Sequence, residues 1–302
     1  MGITYLDAVA YRTAKLRGTS FERTMILGHQ NIYLHRKEVR ALRKQYRAQC
    51  GVPPMSLENY EWGAFADSFL RDFLEVSSLN VLDASAYEGA TTIHDMNEPV
   101  PNEWHNQFEA IIDCGSLEHI FNVPVALRNL ASMLTVGGTL FITTPANNLM
   151  GHGFYQFSPE LMFRVFSEDN GFATRNLTLR QGVFPSVEST RSRRLYSVAD
   201  PQDVHKRVGL ISKRPAMMFV EAVKIAQVDV LAKSPYQSDY ITAWTPEYVA
   251  PPKMSVTQRA ARRMLDALPR TVSAQLLGRR EMRQFSLSNK EFYKRLPVTD
   301  LP

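Results

Sequence analysis

Three apolar runs in this chain, LNVLD, ATTIHD and FEAIID, each stop at an aspartate, namely Asp83, Asp95 and Asp113, and a fourth, GTLFITTP, stops at Pro145. Short runs of this composition, bounded by turn residues, read as buried strands. Helical patterns follow two of them. After Asp113, Asn122 can cap a helix with Pro124 in its first turn and Val123, Leu127, Leu130 and Leu134 inward, ended by Val136 to Gly138. After Pro145, Ser158 caps a helix with Pro159 at its first position, carrying Leu161, Met162, Val165 and Phe166 on one face and closed by Gly171. Strands alternating with helices imply a parallel α/β sheet covered on both faces.

Upstream, FERTMILGHQ predicts a strand at Met25 to Leu27 that enters a turn at Gly28. From Asn31 to Gln49, Ile32, Val39, Leu42 and Tyr46 recur at helical spacing beneath a basic exterior of Arg36, Lys37, Arg40, Arg43, Lys44 and Arg47. Gly51, Pro53 and Pro54 stop that helix. The pattern resumes over Leu57 to Leu74, with Trp62, Phe65, Phe69 and Phe73 as one aromatic stripe suited to core packing. Downstream, FATRNLTLRQGVF and AMMFVEAVKIAQV predict an antiparallel pair at the sheet edge, flanking a loop that includes TRSRRLYSVADPQDVHKR. A basic helix, SVTQRAARRMLDAL, begins at Ser255, and its Val256, Ala260, Met264 and Leu268 form a narrow apolar stripe. These features divide the chain into a lead segment (1–20), an α/β domain (21–233) and a C-terminal extension (234–302).

With 302 residues, 44% hydrophobic and 22% charged, the chain can bury a large core, which excludes disorder as its dominant state. Cys50 and Cys114 are too few for a disulfide scaffold and form no CxxC pair, so a reducing, cytoplasmic setting and no metal site are expected. The N-terminus lacks a signal-type apolar run, and Glu221, Lys224 and Asp229 interrupt the most apolar later stretch. The net charge of +5 belongs to the tail, where residues 251–302 hold 11 Lys and Arg against 4 Asp and Glu. Ser116 lies in no GxSxG elbow, no histidine pair has HExxH spacing and no GxxxxGK[ST] loop occurs, which argues against hydrolase, zinc protease and P-loop chemistry.

Open α/β sheets bind ligands beyond the carboxyl ends of their strands, at the switch point of the strand order. That singles out Gly28, Asp83, Asp95 and Asp113. An acid ending the second strand can accept both ribose hydroxyls, and one after the third can accept an adenine amine, a pairing suited to a nucleoside-bearing cofactor. Acids at strand ends also serve as ordinary turn and cap residues.

The stretch from FEAIIDCGSLEHI through LTVGGTLFITTP to FSPELMFRVFSEDNGF, Phe108 to Phe172, resembles the class I S-adenosylmethionine-dependent methyltransferases from their fourth strand through the helix after the fifth. The likeness is weaker from Leu79 to Pro101. It implies a Rossmann-like, doubly wound, mostly parallel seven-stranded sheet with an antiparallel edge pair, here followed by a basic helical tail, and S-adenosylmethionine as cofactor. By this resemblance Asp83 takes the ribose-binding position, Asp95 with Met96 that of the adenine-contacting pair, and Gly115, Ser116 and Glu118 line the methionine side. The family's glycine-rich loop is reduced to GHQN, where Gly28 and Gln30 stand for the cofactor-binding backbone. The first strand and Asp83 also lie about 55 residues apart, against roughly 20 in the usual βαβ unit. Either the Trp62 helix is an insertion, or LNVLDASAYEGA is the first strand, which would move Asp83 and Gly89 into the glycine-rich motif. The first placement is favoured, because ATTIHDMNEP follows too closely to leave room for a helix and another strand.

Methyl transfer is an in-line displacement for which the protein aligns the acceptor, excludes water and, for an alcohol, removes a proton. His119, His152 and Tyr155 are the candidate catalytic residues, histidine being the better base at neutral pH; each can equally serve as a loop-fixing group. The implied acceptor is a small molecule or carbohydrate of the glycan and cell-envelope type. The apolar stripe of the tail helix suits docking on its own domain, a second subunit or a membrane surface, and the basic charge of the tail suits an anionic one. No motif supports nucleic acid. A scaffold protein of methyltransferase fold without catalysis is the alternative, and a first-strand loop closed by His29 and Gln30 would favour it.

Overall fold

The computed structural model describes residues 2–182, 194–244 and 255–297. The chain opens with strand β1 (Gly2–Thr4), helix α1 (Tyr5–Leu16), β2 (Arg23–Leu27) and β3 (Asn31–Tyr33), then helices α2 (Arg36–Cys50), α3 (Met55–Glu58) and α4 (Asp67–Leu74). The middle holds β4 (Ser78–Asp83), β5 (Thr92–Ile93), β6 (Phe108–Cys114), α5 (Val123–Met133), β7 (Leu134–Asn147) and α6 (Pro159–Val165). The rest comprises β8 (Phe172–Gln181), β9 (Leu195–Val198), α7 (Pro201–Val204), β10 (Ala216–Lys224), α8 (Ser238–Trp244), α9 (Val256–Ala267), α10 (Arg270–Gln284) and β11 (Tyr293–Leu296).

Nine of the strands form one sheet in the order β11-β9-β8-β10-β7-β6-β2-β4-β5, while β1 and β3 pair separately in parallel. From β5 to β7 every neighbour is parallel; β10 is antiparallel to both β7 and β8. The strand order reverses between β2 and β6. Alternate residues face opposite sides: Met25 and Ile111 pack toward α5 and α6, whereas Ile26 and Ile112 pack toward α1, α2 and α4. The doubly wound character expected from the strand–helix alternation is present, with a parallel centre from β5 to β7 and antiparallel neighbours from β7 to β11, and β2 followed by β4 is the favoured placement of the first two strands.

Several local expectations are corrected. The sheet has nine strands among the described residues, not seven. The β8/β10 pair is antiparallel as expected but does not form the edge, because β9 and β11 continue beyond β8. Val183 and Phe184, at the end of the first predicted strand of that pair, and 190–193 of the predicted loop lie outside the described residues. The C-terminal extension contains α9 and α10, yet it returns to the sheet as β11, where Phe292 and Tyr293 are buried.

The helix predicted from Asn31 starts at Arg36, since Asn31–Tyr33 is a strand. The predicted Leu57–Leu74 helix is broken for a related reason. Ala66 N–H donates to Gln30 O (2.8 Å), Ile32 N–H to Ala64 O (2.9 Å) and Gly63 N–H to Ile32 O (2.9 Å), so backbone groups that would build a helix are spent on β3. Phe69 and Phe73 still stack in α4 at 4.7 Å, but Trp62 and Phe65 sit in the loop and are exposed. Helix α5 ends at Met133 rather than at the Val136–Gly138 segment, which is already part of β7. β7 also runs through Pro145, whose missing N–H is accommodated where the register shifts between Ala216 and Met217 of β10. Helix α6 ends at Val165, a short 3-10 turn at Glu168–Asn170 separating it from Gly171.

Candidate functional site

The carboxyl ends of β2, β4, β5 and β6 open on the same edge of the sheet, on both sides of the reversal. At β2 the chain turns at Gly28 with φ +70°. A Cβ there would meet Ser116 Oγ at 2.6 Å, so this backbone is both left-handed and closely approached. Ser116 Oγ donates to Leu27 O at 2.7 Å, and the buried Gln30 donates its Nε2 to the same carbonyl at 2.5 Å. The turn is thus drawn tight across the β2/β6 junction, and Gln30 points into the fold rather than into a cleft.

His29 closes the turn from the other side. Its ring lies flat on Phe65 (3.7 Å, 4°), its Nδ1 is 2.5 Å from Glu88 O, and its Nε2 is 2.6 Å from Asp67 Oδ2. With an acceptor at each ring nitrogen, the doubly protonated imidazolium satisfies both. Burial opposes that charge, but the Glu88 carbonyl and the Asp67 carboxylate outweigh it, and the net pKa is raised above 6.5. Sequence reasoning had no signal for this arrangement, since it joins residues from three separate segments.

Asp83 ends β4 beside β2, and its Oδ1 accepts from Ser85 N–H at 3.3 Å. Asp95 is exposed two residues beyond β5; its Oδ1 accepts from the backbone N–H (2.9 Å) and the side chain (2.7 Å) of Asn97, which hold its pKa below the ordinary value. Met96 is buried in the core against Asn129. Asp113 is fully buried at the end of β6, where burial raises its pKa even though it accepts from Ser116 N–H (2.8 Å) and Leu117 N–H (3.3 Å). Those bonds shape the turn Gly115–Ser116 and the single 3-10 turn Leu117–His119 that follows.

Glu118 is fully buried. Its Oε2 accepts from Thr144 Oγ1 at 3.0 Å, while Oε1 has no hydrogen-bond partner and lies 3.4 Å from His152 Nε2. Burial, reinforced by the nearby Asp113 charge, raises its pKa. The loop after β7 is fastened over it: Phe154 N–H and Tyr155 N–H donate to Glu118 O at 2.8 and 3.2 Å. Gly153, at φ +74°, is required by this approach, because a Cβ would stand 2.8 Å from Glu118 Cγ. His119 is exposed and faces His152 with ring centroids 5.1 Å apart; partial burial and His152 hold its pKa below the ordinary value. Tyr155 donates its hydroxyl to Phe121 O at 2.8 Å and stacks near Phe157 at 5.7 Å, so its polar end fastens the loop. Phe121 and Phe154 are exposed side by side at 6.0 Å, an apolar pair on these two loops.

The predicted residues therefore fall into two groups. Gly28, Gln30, Asp83, Gly115 and Ser116 surround the β2/β6 edge, with Asp95 and Met96 further along it, whereas Glu118, His119, His152 and Tyr155 are gathered by the loops after β6 and β7. One ligating atom each from Glu118, His119 and His152 lies within 4.8 Å of the others; the sequence reading set His119 and His152 at one site but did not expect Glu118 to complete a metal-type donor set with them. Its only linear signal was that both loops follow adjacent strands. No helix among the described residues is long and apolar enough to cross a membrane.

The sequence matches no protein-family model and no curated protein. Among solved structures, the chain is similar to 1,6-didemethyltoxoflavin-N1-methyltransferase of Burkholderia thailandensis, with bound 1,6-didemethyltoxoflavin and S-adenosylhomocysteine, at 11% identity over 74% of this chain and 79% of that one, TM-score 0.37. An S-adenosylmethionine-dependent methyltransferase of Thermotoga maritima matches at 12% identity, 73% and 89% coverage and TM-score 0.35. The branched-chain polyamine synthase of Thermus thermophilus, in complex with N4-aminopropylspermidine and 5'-methylthioadenosine, matches at 11%, 77% and 61%, TM-score 0.31. Similarity at this level assigns no residue a role, and the fold assignment rests on the chain's own strand order.

Proposed function

We propose that the edge formed by β2, β4, β5 and β6 binds S-adenosylmethionine and that the chain transfers its methyl group to a small-molecule or carbohydrate-like acceptor. One observation carries the reading: the strand-end residues Gly28, Asp83 and Asp95, and the Gly115–Ser116 turn that the resemblance named, lie at the carboxyl edge of a doubly wound sheet around its reversal point. The residues on the ribose side fit a nucleoside. The Asp83 carboxylate accepts one long bond from its own loop, which leaves lone pairs for vicinal hydroxyls. Asp95 keeps Oδ2 for an exocyclic amine while Oδ1 serves Asn97.

The bound cofactor supplies an electrophilic methyl group on a sulfonium. The chain's own residues do the rest. Ser116 and Gly28 hold the β2/β6 junction, the fastened loop 149–157 limits water on one side, and His119 or His152, with rings 5.1 Å apart, would receive the proton of an acceptor hydroxyl. The exposed Phe121 and Phe154 offer an apolar surface to the acceptor's face.

A second reading has a specific observation behind it: His29 and Gln30 draw the turn after β2 shut, which favours a binding or scaffold protein without catalysis. Calorimetric titration with S-adenosylmethionine and S-adenosylhomocysteine separates the two. Micromolar binding that Asp83→Ala abolishes is expected; a folded native chain that binds neither compound overturns the methyltransferase reading.

A further inference from the structure

We infer that Glu118, His119 and His152, on the two loops that carry the exposed Phe121 and Phe154, form a three-ligand site for a divalent first-row transition metal. The inference stands on coordination geometry and is independent of whether the neighbouring edge binds a nucleoside; with an ion bound, both imidazoles act as ligands instead of in the proton-accepting role given above. Two imidazoles and one carboxylate make a donor set that suits Zn²⁺, Fe²⁺, Co²⁺ or Mn²⁺ and leaves positions for exogenous ligands. The Oε1–Nε2 separation of Glu118 and His152 is 3.4 Å, close to the roughly 3.3 Å edge of a tetrahedral site with bonds of about 2.0 to 2.1 Å. The three ligating atoms lie within 4.8 Å of one another.

The surroundings are built to hold these groups. Glu118 is completely buried, its Oε1 lacks a hydrogen-bond partner, and its Oε2 is oriented by Thr144, the kind of outer partner that fixes a ligating carboxylate. A buried carboxylate oxygen that meets an imidazole nitrogen at 3.4 Å without a hydrogen bond is costly, and a cation between the two answers that cost directly. The backbone bonds of Phe154 and Tyr155 to Glu118 O, with the close approach of Gly153, hold the His152 loop on the carboxylate.

The test uses the full chain, stripped with a chelator and free of nucleoside and acceptor. Titration with Co²⁺, read by its visible absorption, and with Zn²⁺ and Mn²⁺ by calorimetry, is expected to show one equivalent per chain. At least tenfold weaker binding is expected in His119→Ala, His152→Ala and Glu118→Gln. Glu118→Gln keeps the buried shape; if it does not fold by circular dichroism, the exposed His119→Ala decides alone. Absence of stoichiometric binding to the folded chain, or binding unchanged in the folded variants, overturns the inference. S-adenosylhomocysteine binding, measured in parallel, reports separately on the methyltransferase reading.

Discussion

Arg180 on β8 and Asp7 on α1, 173 positions apart, form a buried ion pair, with Nη1 donating to Oδ2 at 2.9 Å. Thr143 and Thr4 donate to the same carboxylate at 2.7 and 2.6 Å. The opening helix is therefore tied to the centre of the sheet through a fully satisfied buried acid. Replacing Arg180 by Ala leaves Asp7 buried without its counter-charge and is expected to cost about 3 to 5 kcal/mol in urea unfolding.

The same pair sets an acid limit. Burial alone raises the Asp7 pKa, but Arg180 and the two threonines hold it below its ordinary value of 3.8. A lowered folded-state pKa contributes stability that is present above the unfolded value and lost as pH falls through the folded one. The stability gap between native chain and Asp7→Asn is expected to be widest above pH 3.8 and to narrow below it, followed by denaturation across that range.

His29 has the opposite sign. Its pKa is raised above 6.5 by Glu88 and Asp67 against the effect of burial, so its contribution is complete below pH 6.5 and declines as pH rises through the folded value. Melting temperatures of the native chain and His29→Asn should differ more at about pH 6 than at about pH 8.5. A difference independent of pH would show that stacking on Phe65 is the larger effect.

Gly28→Ala should be harmful twice over. The left-handed φ of +70° costs a side chain about 1 to 2 kcal/mol, and the new Cβ would press on Ser116 Oγ. Adding Ser116→Ala should restore only the steric part. Thermal unfolding of the single and double variants separates the two contributions.

Phe292 is 1% exposed beside β11, which makes the end of the chain part of the core. Phe292→Ala is expected to destabilise by about 3 to 5 kcal/mol, and removal of the chain after Gln284 to lower the melting temperature as well. An unchanged melting temperature in both would mean that β11 is peripheral to folding.

Much of the sheet was legible because its strands are local. LNVLD, FEAIID and GTLFITTP carry enough apolar surface to declare themselves, and Ser158 with Pro159 declares the start of α6, where Ser158 Oγ accepts from Leu161 N–H at 3.2 Å. The aspartates at the strand ends followed from the same pattern. Less legible were segments whose hydrogen bonds go to distant partners: Asn31–Tyr33 has helical spacing but pairs with β1, and Trp62 and Phe65 continue a helical stripe but lie in a loop bonded to β3. β11 carries two lysine or arginine residues in four positions and reads as tail until it pairs with β9.

The site divides along the same line. By itself the sequence determined the strands β2, β4, β6, β7, β8 and β10, the helices α5 and α6 and the acids near the strand ends, since periodicity and capping act within a few residues. Only the tertiary structure decided that His29 and Gln30 shut the first turn, that Glu118 is buried, and that His152, 34 positions on, lies against it. Those facts depend on which loops become neighbours when parallel strands pair. That pairing is settled by burial and backbone hydrogen bonding over the whole sheet, not by any local preference.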